Sequence, residues 1–421
     1  MDPSENINQN LKVFYKKLFP CDLLCKWLSC CSKQPSETVL FNLARREFSF
    51  SLAGDVYLRY QSFSDPASLR RELVQICPQK IDIGAVYGAP PKLQRSMSSF
   101  SFVVRELVFD IDLTDYDETR FCCGTAICHH CWELAKCAVI CLDRALREDF
   151  GFEHILWVFS GRRGVHCWVC DSVARQLDSA GRTAVAEYLA IIHGSDARKV
   201  TGIKFCVLKL NFNLAKSKTN ITFWLLNSHF LKYCVSQDLL SSHYPDRVRW
   251  VLQHLPSDLT EQRNKLLEQW TSNKANSSDS TARRWNTLKC FLQEEGRNNV
   301  IKDIVLSTVY PRLDINVTNG PGHLLKSPFC VHPKTGFVCV PFDPQLIDEF
   351  DPLTVPRLNE LVAQLSQANA SEEMTSQHLL AYKQTTLRPY IEFFENFVNP
   401  SMLLYMYPAS SCFPAYGIQN K

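Results

Sequence analysis

The period of the apolar residues changes several times along this chain, and that change constrains the fold more than any other feature. From Arg46 to Phe50, Val56 to Phe63 and Lys80 to Tyr87 it is two, as a half-buried strand requires, and Glu106 to Leu113, Ile155 to Ser160 and Val165 to Cys170 read the same way. Between and before these lie helical patterns: two short helices in 9 to 31 broken at Pro20, one near Leu69 to Gln75, one over Trp132 to Phe150 and one over 172 to 193. A long stretch from 236 to 306 is helical throughout, with Val248, Val251, Leu255, Leu259, Leu266 and Trp270 supplying the apolar positions. Strand character then returns at Arg312 to Val317 and Phe337 to Pro341. The expected fold is mixed α+β, with sheets built from both ends of the chain around an inserted helical subdomain. Its boundaries are drawn at 1–192 and 307–400 for the main domain, 193–306 for the insertion with a Ser- and Asn-rich linker at 272–280, and 401–421 for a tail.

Composition removes several alternatives. In a chain of 421 residues, 46% hydrophobic and 21% charged residues exclude collagen, coiled coil and wholesale disorder. Lys plus Arg number 46 and Asp plus Glu 43, so with a net charge of +3 any basic binding surface has to be local. The start, MDPSENINQN, lacks the pattern of a signal peptide, and no apolar run reaches the ~18 residues of a membrane span; an intracellular protein without a membrane is expected. The 19 cysteines are then mostly reduced core thiols with a few candidate metal ligands, and the sequons at Asn220 and Asn316 carry no meaning.

Three motifs could carry chemistry. In Glu106-Leu-Val-Phe-Asp-Ile-Asp-Leu113, Asp110 and Asp112 share a strand face ~6.5 Å apart, where two poorly solvated carboxylates would be relieved by a hard divalent cation; a solvated strand end is the alternative. Pro311-Arg-Leu-Asp-Ile-Asn-Val317 repeats the pattern, so Asp314 on a neighbouring strand would complete a three-carboxylate centre for one or two Mg²⁺ or Mn²⁺ ions, the requirement of in-line nucleotidyl transfer. Ser160-Gly-Arg-Arg-Gly-Val-His166 reads as an anion cradle, with Gly161 and Gly164 allowing a tight backbone and Arg162 and Arg163 offering forked donors, or else as a solvated hairpin tip. His323, Lys326 and His332 follow Asp314 closely enough to close over the same phosphates. Cys122, Cys123, Cys128 and Cys131 fit a closed zinc site remote from the chemistry, with His129 or His130 as a possible replacement ligand. Cys21, Cys25, Cys30 and Cys31 read as core thiols. No Walker A or Rossmann glycine pattern is present.

Taken together, Arg46-Glu-Phe-Ser-Phe50, Tyr57-Leu-Arg-Tyr-Gln-Ser-Phe63, Lys80-Ile-Asp-Ile-Gly-Ala-Val-Tyr87, Glu106 to Asp112, Ser160-Gly-Arg-Arg-Gly-Val-His-Cys-Trp168 and Leu324-Leu-Lys-Ser-Pro-Phe329 resemble the catalytic small subunits of eukaryotic DNA primases, over roughly residues 9 to 192 and 281 to 397. The resemblance implies a primase-polymerase fold of two β-sheets with flanking helices, an inserted helical subdomain and a small zinc-binding loop at about 120–132. It implies template-directed synthesis of short RNA primers on single-stranded DNA from ribonucleoside triphosphates. Asp110, Asp112 and Asp314 match the family's catalytic metal ligands; Glu47, Arg59, Ser160, Gly161, Arg162, Arg163, Gly164, His166, His323, Lys326 and His332 match positions around the incoming nucleotide; Cys122, Cys123, Cys128 and Cys131 match its structural zinc ligands. A large primase subunit, the polymerase alpha complex and a nuclear location come with the resemblance. The chain departs from the family pattern in a cysteine interval one residue shorter, in 196 to 235, which lacks charged helical character, and in 401 to 421. A primase-polymerase preferring deoxynucleotides and a catalytically silent adaptor are the competing readings.

Overall fold

The computed structural model describes residues 3–29, 43–97, 100–190, 215–272, 280–320, 322–372 and 380–399. The chain forms two compact units, one of Met1–Ser101, Ser327–Pro341 and Pro356–Lys421, the other of Phe102–Lys326 and Phe342–Val355.

In the first unit, helices α1 (Pro3–Lys17) and α2 (Cys21–Ser29) are separated at Pro20 and bury Phe14, Tyr15, Leu24, Trp27 and Leu28. Strands β1 (Arg46–Ser51), β2 (Tyr57–Gln61) and β3 (Lys80–Tyr87) pair antiparallel in the order β2-β1-β3. Between β2 and β3, α3 (Pro66–Ile76) begins at a reciprocal cap, in which the Asp65 carboxylate accepts from the Ser68 amide at 2.8 Å while Ser68 Oγ accepts from the Asp65 amide at 3.3 Å. Cys21 and Cys25 are buried core thiols, and burial pushes Cys21 up to about 12. Cys30 and Cys31 lie outside the described residues. The strand expected over Phe337 to Pro341 is instead a pair of isolated bridges, Val331 with Val338 and Phe337 with Arg357, followed by the two-residue strand Pro341–Phe342. Its backbone is shared between two segments, the Val338 amide donating to the Pro356 carbonyl at 3.0 Å and the Cys339 amide to the Cys330 carbonyl at 2.8 Å, so no longer ladder forms.

The second unit carries the short strand β4 (Phe102–Val104), then β5 (Leu107–Asp112), α4 (His129–Glu148), β6 (Ile155–Phe159), β7 (Gly164–Val169) and α5 (Ser179–Leu189). The long strands run antiparallel in the order β5-β7-β6, with Asp110 opposite His166 and Asp112 opposite Gly164. Trp132 of α4 and Trp157 and Trp168 of the hairpin fill the core. The helical stretch follows as α6 (Ala215–Ser236), α7 (Pro245–Leu252), α8 (Thr260–Thr271), α9 (Thr281–Glu294) and α10 (Asn298–Val309). Helix α6 occupies much of the segment whose sequence lacks charged helical character. Its helical face is apolar instead: Leu226, Phe230, Tyr233 and Cys234 are all buried. Of the expected linker, 273–279 lies outside the described residues, as does the tail 401–421.

The Arg312 to Val317 strand is absent. Asp314 caps the short helix α11 (Ile315–Asn319), its carboxylate accepting from the Asn316 amide at 3.0 Å. The Asp-Ile-Asn spacing that imitates strand alternation is equally that of an Asx cap, and here the cap wins.

Candidate active site

Strand β5 is covered on both faces by its own residues Leu107, Val108, Phe109 and Ile111, all buried. Its outer flank has no strand partner among the described residues; the segment leading into α11 docks there instead. The Asp314 amide donates to the Asp110 carbonyl at 3.3 Å, and Thr318 Oγ1 donates to the Val108 carbonyl at 2.8 Å. Two alternate carbonyls of an edge strand thus set the register that brings Asp314 beside Asp110. Arg312, buried, anchors the same segment: it donates to the Asp115 carbonyl and to Glu118 Oε1, both at 2.6 Å, while its amide bonds Tyr116 Oη at 3.0 Å.

The electrostatics are those of an overcrowded acidic centre. Burial raises the Asp110 carboxyl to about 7, with Asp112 and Asp314 adding repulsion and Lys326 offsetting part of it. Burial alone would also raise Asp112, yet Arg163 Nε at 2.8 Å and the Thr114 amide at 2.9 Å outweigh it and hold that carboxyl below its ordinary value. Among the described residues the three carboxylates do not reach the close spacing of the cysteine cluster below, and Asp112 and Asp314 each turn a carboxylate oxygen to cap the backbone that follows.

The hairpin between β6 and β7 faces this centre. His166 Nε2 lies 3.6 Å from Asp110 Oδ1, and Lys326 Nζ donates to the Ser160 carbonyl at 2.9 Å. Ser160 closes the hairpin through its amide to the Gly164 carbonyl at 3.0 Å and by accepting the Gly164 amide on Oγ at 3.1 Å. Gly161 has φ +78, and a Cβ at Gly164 would stand 2.1 Å from the Ile111 carbonyl oxygen. No other residue lets β7 approach β5 there. Arg162 is half-buried at the tip, and His323 stands exposed after α11 with its amide on the Gly320 carbonyl at 2.9 Å.

The four cysteines converge as well. Their sulfurs lie within 4.8 Å of one another, the tightest group of potential metal ligands among the described residues. Cys122 to Cys123 is 3.6 Å, Cys123 to Cys131 3.5 Å and Cys128 to Cys131 3.9 Å. A tetrahedral ion with Zn–S bonds of about 2.3 Å has edges of about 3.8 Å, so the sulfur set fits. Cys128 is the N-cap of α4 and Cys131 lies in its first turn. His129 points instead to Asp351, 3.7 Å away. The loop is not remote from the acidic centre as the spacing suggested. Arg163, which bonds Asp112, also donates from a terminal guanidinium nitrogen to the Thr125 carbonyl at 3.4 Å, inside the loop.

Comparison with known proteins decides what such a centre belongs to. The sequence model for the DNA primase small subunit matches residues 109–344, which contain all three aspartates, the hairpin and the cysteines. The chain is similar to the DNA primase small subunit of Drosophila melanogaster, 40% identical over 418 residues that cover 94% of this chain and 91% of the relative. The protein of the same description from Schizosaccharomyces pombe is 38% identical over 85% of this chain and 78% of its own. An archaeal DNA primase small subunit PriS, from Thermococcus sibiricus, is 27% identical over 66% of this chain and 75% of its own. The chain belongs to the DNA primase small-subunit family.

The remaining residues singled out from the sequence, Glu47, Arg59 and His332, lie in the first unit. Glu47, fully buried on β1, accepts from Arg59 at 3.0 and 3.3 Å, the Tyr60 amide at 3.3 Å, Tyr87 Oη at 3.1 Å and Ser49 Oγ at 3.2 Å. Five donors on one carboxylate explain how it tolerates burial. They also explain the bulge: turning the Tyr60 amide inward puts that residue at φ 60, where the β1–β2 register slips. His332 holds a tight turn, accepting the Gly336 amide at 2.9 Å on its carbonyl and the Lys334 amide at 3.2 Å on Nδ1. Sequence reasoning missed Arg312, Thr318 and Thr125. The first two sit two residues before and four after Asp314, but their partners lie in distant segments, Arg312 on Asp115, Tyr116 and Glu118 and Thr318 on the Val108 carbonyl, and Thr125 acts through its carbonyl, which leaves no trace in sequence.

Proposed function

We propose that this chain synthesises short RNA primers on single-stranded DNA to start DNA replication, as a DNA-directed RNA polymerase. The observation that supports it most is the convergence of Asp110, Asp112 and Asp314 beside Arg163, His166 and Lys326, inside the segment that matches the family. Asp110, Asp112 and Asp314 would hold Mg²⁺ or Mn²⁺, a fit supported by the raised Asp110 carboxyl, whose surplus negative charge a divalent cation relieves. When bound, such ions activate the attacking 3′-hydroxyl and offset charge on the departing pyrophosphate.

The chain's own residues do the rest. The primer 3′-oxygen forms its bond to the α-phosphorus as the bond to pyrophosphate breaks. Arg162 and Arg163 bind phosphate oxygens with forked donors, and Lys326 adds a point charge; His166 orients Asp110 from the facing strand. Ser160, Gly161 and Gly164 shape the hairpin that presents these donors, and Glu47, Arg59, His323 and His332 complete the nucleotide positions. Cys122, Cys123, Cys128 and Cys131 would hold a structural Zn²⁺, closed to substrate. The catalytic domain is taken as 1–192 and 307–400, with the insertion at 193–306.

The partners that go with this reading are the DNA template, ribonucleoside triphosphates, a large primase subunit and the polymerase alpha complex, in the nucleus. No described helix is long and apolar enough to cross a membrane. A silent adaptor would have no use for this buried, charged geometry. Labelled ribonucleotides on single-stranded DNA, with and without the large subunit, test the reading: short RNA products are expected, and their absence in both arms contradicts it. Competition by deoxynucleotides reads the sugar preference.

A further inference from the structure

We propose that a groove on the first unit, between β2 and the 3-10 turn Pro91–Ser96, is a track for single-stranded DNA. The inference deepens the primer-synthesis reading and rests on it, by naming where a template strand runs beside the nucleotide positions, with which the groove shares Arg59.

The groove is lined by Tyr57, Arg59, Tyr60 and Gln61 from β2 and by Lys92 and Arg95 from the turn. Three of these side chains are cationic and none is acidic. Two are aromatic, and both are fixed. Tyr57 is 45% exposed while its hydroxyl donates to buried Asp82 at 2.9 Å, which anchors the ring in the groove wall. Tyr60 sits at the strained bulge set by Glu47, with the Arg59 guanidinium carbon 4.8 Å from its ring centroid and the Phe100 ring edge-on at 6.1 Å. Lys92 and Arg95 are exposed on the opposite wall, the lysine nitrogen 5.2 Å from the Phe63 ring centroid.

Fixed aromatic faces interleaved with cations are the composition of a single-strand site. Bases stack on rings without regard to sequence, and the cations follow the phosphates. Duplex DNA hides its base faces and would forgo the rings. A triphosphate would use the cations and leave both rings idle. A strand uses all of them.

Fluorescence anisotropy of a 5′-labelled oligo-dT with the full chain, without nucleotides and over a range of salt, tests the proposal. The Lys92→Ala/Arg95→Ala double variant, changed only at exposed positions, should bind on the order of tenfold more weakly. Its log Kd against log salt should flatten by about 1.4, the value for two lost single-strand phosphate contacts. Tyr57→Ala should weaken binding without changing that slope, whereas Tyr57→Phe, which keeps the stacking face and loses only the anchor on Asp82, should lose less affinity than Tyr57→Ala. In primer synthesis the double variant should raise the template KM and leave the nucleotide KM at saturating template unmoved. Unchanged affinity and slope would overturn the proposal, as would equal losses for a duplex of the same length. A shift in nucleotide KM without a shift in oligonucleotide affinity would overturn it too and make the groove a triphosphate site. Groove-dependent oligonucleotide binding by a wild-type chain that makes no primers would instead count against the primer-synthesis reading alone.

Discussion

Asp110 is the residue on which the chemistry and the stability of the second unit meet. Its folded carboxyl titrates near 7, raised above the unfolded value of about 3.9, so between those values the folded state holds a proton that the unfolded chain has released. Stability therefore falls as pH rises through that window and levels off above it. Asp110→Asn removes the dependence, and in chelator the difference in Tm, variant minus wild type, should grow from pH 5 to pH 8; thermal melts at both values check this. Arg163 is the second such residue. Because it holds Asp112 and is proposed to bind the phosphates, Arg163→Ala should raise the nucleotide KM at least about tenfold, the low end of the roughly 1.5–3 kcal/mol of a hydrogen bond to a charged group, and move template affinity much less. Steady-state kinetics at fixed salt, varying each substrate in turn, separates the two.

Among the elements, the strands that carry Asp110, Asp112 and His166 were legible because short β-branched and aromatic apolar runs, with the polar residues at alternate positions, are too short for helices. The element that carries Asp314 was not, since an Asp-x-Asn at a helix cap and in a strand look alike until the edge of β5 supplies the carbonyls that decide between them. The cysteine cluster was legible by spacing, but its hydrogen bond to Arg163 through the Thr125 carbonyl was not, because backbone partners are invisible to residue patterns. That contact makes the loop's order matter for the cradle. Purified protein should contain about one zinc per chain. Cys128→Ser should lower that stoichiometry by more than half, read by metal analysis; zinc unchanged by the substitution would remove the ion from this loop.

At the scale of the whole molecule, the mixed architecture follows from the changes of period, and the helices between 215 and 309 belong to the same compact unit as the three aspartates. Glu47, Arg59 and His332, which the family resemblance groups with the nucleotide positions, belong to the first unit, whose membership is made by long-range packing that no local pattern encodes. The account stands on the three carboxylates acting together, although they come from two distant segments of the chain. Primer synthesis by Asp110→Asn and Asp314→Asn, each checked by circular dichroism and oligonucleotide affinity, tests this most directly. Both variants should keep the fold and the affinity and lose synthesis by at least about a hundredfold, as loss of charge stabilisation at a reacting centre does. Synthesis within threefold of wild type by either folded variant would contradict the account.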